Sequence, residues 1–105
     1  MISKPLQDKS ILLELVEKAI EAGASEMEIE YKDGREQVFA VAQGIGIGIA
    51  SLDSKSGEAR LLRQELYGMA KKRKMIRLPG VEYVLRVQVF DSFGEDAFHI
   101  IIKTS

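Results

Sequence analysis

Apolar and polar residues change their spacing several times along the chain, and each change marks an element. From Leu6 to Ala22 the apolar positions Leu12, Leu13, Leu15, Val16, Ala19 and Ile20 recur every three to four residues, which predicts one amphipathic helix. Pro5 suits its first turn and Gly23 suits its end. At Glu26 the rule becomes strict alternation through Met27, Glu28, Ile29, Glu30 and Tyr31, the period of a half-buried strand. Asp33-Gly34, a preferred pair for a two-residue hairpin turn, leads into a return strand from Glu36 to Ala42.

The stretch Gln43-Gly44-Ile45-Gly46-Ile47-Gly48-Ile49-Ala50-Ser51 alternates glycine with isoleucine. As a third strand it puts Ile45, Ile47 and Ile49 on one face and Gly44, Gly46 and Gly48 on the other. A polar loop from Asp53 to Gly57 then precedes a second helix from about Glu58 to Lys72, with the stripe Ala59, Leu62, Leu66, Met69 and Ala70. Met75 to Leu78 reads as a short strand ended by Pro79-Gly80. Glu82–Phe90 and Glu95–Lys103 form a last hairpin, with Asp91-Ser92-Phe93-Gly94 as its turn. The order α-β-β-β-α-β-β-β predicts a single α+β domain over residues 1–105, with two helices on one face of a mostly antiparallel sheet of five to six strands.

Composition narrows the chemistry. At 46% hydrophobic and 30% charged residues the chain can bury a core, which argues against disorder. It has no cysteine, so disulfides, thiolate metal sites and cysteine nucleophiles are excluded. There is no apolar run of membrane-spanning length and no signal-peptide pattern at MISKPLQDKS, so a cytoplasmic protein without membrane insertion is expected. The net charge is only -1, but acids dominate the first forty residues, whereas Arg60, Arg63, Lys71, Lys72, Arg73, Lys74 and Arg77 concentrate positive charge later. Such asymmetry can steer a partner of opposite sign.

No catalytic constellation emerges. The glycine stretch has the spacing G-x-G-x-G, with Ile49 where a dinucleotide fingerprint needs its third glycine, and no P-loop frame is present. A strand bare on one face instead admits close packing by another element or, as the alternative, a flat ligand. His99, the only histidine, cannot make a zinc site by itself and has no evident orienting partner. The run Lys71-Lys72-Arg73-Lys74 has no interleaved aromatics to stack on bases, so nucleic-acid binding is not expected. Glu26, Glu28 and Glu30 form the polar face of an amphipathic strand.

Two longer motifs resemble the N-terminal, PAS-like domain of type II secretion and type IV pilus ATPases, pilus-retraction members included. They are the helix ending Ala22-Gly23-Ala24-Ser25 before Glu26 and Glu28, and the closing Leu78-Pro79-Gly80-Val81 with Leu85-Arg86-Val87-Gln88-Val89-Phe90 and Gly94. The likeness runs from about Leu12 to Lys103. This sequence departs from the family pattern at Glu26 and Glu28, which stand for its Asp and His. It departs again at Phe39, Val41 and Ile100, where the family carries arginines, so that only Arg86 remains of the basic set. No Walker motif accompanies the domain. The resemblance implies a stand-alone accessory domain that does not hydrolyse ATP by itself, needs no cofactor, and binds a partner protein or itself. The expected contact surface is Arg60, Arg63, Lys71, Lys72, Arg73, Lys74 and Arg86. The rival expectation is a small-ligand sensor using the face of Gly44, Gly46 and Gly48.

Overall fold

Both helices begin at a serine whose side chain accepts a hydrogen bond from a backbone N–H left free by the first turn. In the computed structural model, which describes residues 10–70, 74–78 (backbone course only) and 80–104, Ser10 caps α1 (Ile11–Glu21) and Ser56 caps α2 (Gly57–Met69). Their hydroxyls accept from Leu13 at 3.0 Å and from Ala59 at 3.1 Å. The expected start at Leu6 and the placement of Pro5 lie outside the described residues, as do Lys71, Lys72 and Arg73. At the other end of α1, Gly23 N–H bonds Ile20 O and Ala24 N–H bonds Ala19 O, both at 2.9 Å. That is the paired closure of a Schellman motif, and it turns the chain directly into the first strand.

The strands are β1 (Glu26–Lys32), β2 (Arg35–Ala42), β3 (Ile45–Asp53), β4 (Lys74–Leu78), β5 (Val81–Ser92) and β6 (Glu95–Thr104). They form one sheet in the order β3-β2-β1-β6-β5-β4, and every neighbouring pair is antiparallel. Three hairpins turn on two residues in the left-handed region: Asp33-Gly34, Gln43-Gly44 and Phe93-Gly94. Two expectations are corrected here. Gly44 is the second turn residue (φ 79°), not a position on the strand face, and the last turn is centred on Phe93-Gly94 because Asp91 and Ser92 still pair with Asp96 and Glu95.

The register decides which side chains share a face. Met27 lies opposite Ala40 and Ile100, Ile29 opposite Val38 and Phe98, Leu85 opposite Ile102, and Val87 opposite Ile100. All of these are buried, and they pack with Leu12, Leu15, Val16 and Ala19 of α1 and Leu62 and Leu66 of α2. Both helices therefore cover the same side of the sheet, as their apolar stripes require. Tyr67 of α2 meets Phe98 edge to face, with ring centroids 5.2 Å apart.

Polar contacts fix the helices in place. Glu65 of α2 accepts from Leu12 N–H at 3.0 Å and so caps the first turn of α1 from its neighbour. Glu36, only 1% exposed, points into the helix-covered side, where Arg63 donates to it at 2.6 Å. Burial pushes the Glu36 carboxyl above the ordinary glutamate range, and the Arg63 guanidinium opposes that rise. No helix among the described residues is long and apolar enough to cross a membrane.

Candidate functional site

With both helices on one side, no described element packs on the other face of the sheet. The register lays that open face out in rows. One row runs Gly46, Val41, Glu26, Ile101, Arg86 from β3 across to β5, and the next runs Gly48, Phe39, Glu28, His99, Gln88. A one-sided antiparallel sheet normally presents polar residues to water. Here Val41, Phe39 and Ile101 are half-buried apolar side chains standing among charges, and Phe90 further along β5 is exposed.

The charges are ordered as well. Glu26 and His99 lie diagonally across β1 and β6 and meet at 2.9 Å, so the histidine that lacked an evident partner in the sequence has one. Beyond them, Val84, Arg86, Ile101, Lys103 and Thr104 line a hollow of ≈ 190 Å³. Val84 faces Lys103 across the ladder, and Arg86 faces Ile101. The result is an apolar floor with two cationic side chains over it. Neither cation is taken up in an ion pair among the described residues. Such a hollow suits a carboxylate or phosphate group, or acidic side chains carried by an apolar segment.

Of the expected basic surface, the described members Arg60, Arg63 and Arg86 do not share one patch. Arg60 is exposed on α2, on the far side of the sheet from Arg86. Arg63 is committed to Glu36 and is not a free cation. Lys71, Lys72 and Arg73 lie outside the described residues, and Lys74 opens β4. Among the described members of the expected set, Arg86 alone lines the open-face hollow. Lys103 joins it, and the sequence held a signal for this: Arg86 and Lys103 sit in the solvent phase of the two closing strands, opposite to Leu85 and Ile102.

On the glycine face, Gly46 and Gly48 are exposed, and Phe39 of the neighbouring strand borders them. A Cβ at Gly46 would stand 4.0 Å from the Phe39 Cβ, and one at Gly48 would stand 3.9 Å from its ring. Ile100, the residue standing in for an expected arginine, is buried under the helices. Among the described residues no group of three or more His, Asp or Glu side chains gathers to hold a metal ion. No protein-family model matches the chain, and no curated protein matches it either.

Proposed function

We propose that this chain is a non-enzymatic cytoplasmic interaction module that docks a partner protein on the open face of its sheet, in the manner of the accessory PAS-like domain of secretion and pilus ATPases that its sequence resembles. The observation that carries this reading is the mixture on that face. Phe39, Val41 and Ile101 supply apolar area, while Arg86 and Lys103 stand beside it in no ion pair among the described residues. Apolar side chains rimmed by charge are the usual composition of a contact surface, and arginine is enriched among residues that anchor one. The partner surface this fits is apolar with acidic flanks.

Immobilised wild-type chain and the double variant Arg86→Glu, Lys103→Glu, challenged with lysate of the source cell, test it. A protein retained by the wild type and lost by the folded double variant supports the reading. Identical retention by both, or none by the wild type, overturns it.

A second reading, a small-ligand sensor, has one observation in its favour. The hollow beneath Arg86 and Lys103 is of a size for a small acid, although it lies two strands and more from Gly46 and Gly48. A thermal-shift screen of carboxylates, phosphates and nucleotides distinguishes the two. Stabilisation by such a compound that disappears in Arg86→Ala would favour the sensor.

A further inference from the structure

Among the described residues the sheet ends at β3, and the first half of that strand carries none of the devices that natural proteins use to blunt an edge. Residues 44–50 contain no charged residue and no proline. Ile45 is 65% exposed and Ile47 45% exposed, on the side of the sheet that the helices cover elsewhere. The second half of the strand is protected. Register shifts between Val38 and Phe39, so that Ile49 is an extra residue between Gly48 and Ala50, and a bulge bends the edge from there on. Arg35 then donates to the Ser51 hydroxyl at 2.6 Å and to the Ser51 carbonyl at 2.9 Å. The contrast confines the open edge to residues 45–49.

Which backbone groups that edge offers follows from the turn. Ala42 and Ile45 close the two-residue Gln43-Gly44 hairpin, and such a closing pair exchanges both of its ladder hydrogen bonds. Alternation then turns the N–H and C=O of Ile45 and Ile47 toward β2 and those of Gly46 and Gly48 outward. The two glycines are the residues whose backbone is available to another strand, and they have no side chain to obstruct its approach.

We propose that two copies of this chain pair antiparallel along β3 about a two-fold axis at Ile47. In that register Gly46 lies opposite the partner's Gly48, and each such glycine pair exchanges two backbone hydrogen bonds. Ile47 lies opposite the partner's Ile47 in the close, non-hydrogen-bonded position, where Cα atoms stand about 4.5 Å apart. Ile45 lies opposite the partner's Ile49. The alternation maps onto itself under reversal, which is what an isologous interface demands. No like charges are brought together, because the stretch carries none. Ile49 already packs against the core, so the paired isoleucines extend the core across the seam. The self-complementarity selects a second copy over an unrelated strand, which would have to supply its own match to the glycine–isoleucine alternation. This pairing is independent of the open-face reading.

The full chain, followed by sedimentation equilibrium over a range of concentrations, should dimerise. Gly46→Pro removes an outward N–H without touching the β2–β3 ladder, and Ile47→Lys places two cations opposite each other. Each should weaken the dimer at least about tenfold. Because the chain has no cysteine, Ile47→Cys should oxidise rapidly to a disulfide-linked dimer, whereas Glu58→Cys on α2 should not. Arg86→Glu should leave the dimer unchanged. The proposal is overturned by a wild type that stays monomeric throughout, by an Ile47→Cys chain that cross-links no faster than Glu58→Cys, or by a dimer that Arg86→Glu dissociates.

Discussion

Replacing Arg63 with methionine would strand a carboxylate inside the protein. Glu36 is 1% exposed and Arg63 pairs with it at 2.6 Å, so Arg63→Met keeps the aliphatic stem and removes only the compensating charge. Losing one member of a buried pair costs about 3–5 kcal/mol. The Arg63 side chain is 27% exposed, so water entering its vacated position should relieve part of this and set the loss at about 3 kcal/mol at pH 7. With a urea slope near ~1.5 kcal/mol per M, the midpoint should fall by about 2 M, read by circular dichroism because the chain has no tryptophan.

The pH dependence separates this cause from lost packing. Burial already raises the Glu36 carboxyl above its ordinary value of about 4.5, and without Arg63 it should rise further. A group with a raised folded-state value binds its proton more tightly when folded. Its contribution to stability is present below pH 4.5 and is lost as pH rises through the folded-state value. The gap between wild type and Arg63→Met should therefore shrink to roughly 1 kcal/mol at pH 4, the part due to packing of the stem. The double variant Glu36→Met, Arg63→Met should lie within about 1 kcal/mol of wild type at pH 7. An equal loss at pH 4 and pH 7, or a double variant as damaged as the single one, would refute the reasoning.

Two further outcomes bear on the core and on α2. Phe98→Ala should cost about 3–5 kcal/mol by urea unfolding, since Phe98 is fully buried and carries the edge-to-face contact with Tyr67. Tyr67 donates to Asp96, and that hydrogen bond, with burial and the Asp96 charge, raises its phenol above the ordinary value. Stability from the bond is complete below about pH 10 and is lost as pH rises through the folded-state value. Tyr67→Phe should flatten the alkaline limb of a stability–pH profile, and an unchanged limb would exclude Tyr67 as its source.

How much of this was legible beforehand varies by element. The β1–β2 hairpin is written in Asp33-Gly34 and strict alternation, and both helix stripes are written in three-to-four spacing. The β2–β3 turn was hidden by its own neighbours. Gly44 belongs to the same glycine–isoleucine pattern as Gly46 and Gly48, and only backbone dihedrals separate a turn glycine from strand glycines. The bulge at Ile49 leaves no mark in an alternating sequence, yet it decides where the edge of β3 stops being open. Glu36 shares the phase of Val38 and Ala40, so alternation alone puts it inward. What permits a charge there is not visible locally, because the arginine that pairs with it lies 27 residues away on another element.

The candidate site was legible by residue and not by assembly. Arg86 was marked by the resemblance of the closing hairpin to the secretion-ATPase domain, but grouping it with the basic residues of α2 required knowing on which side of the sheet that helix lies. Both helices take the side of Met27, Ile29 and Phe98, which leaves Arg86 and Lys103 on the other. Nothing in the spacing of residues 60 and 86 encodes that separation.

Retention of a partner on immobilised chain, compared between wild type and Arg86→Glu, Lys103→Glu, tests the central claim most directly. A discrete protein should bind the wild type and be released by the double variant, with the variant's circular dichroism unchanged. The same proteins bound equally by both, or nothing bound by the wild type, would contradict it.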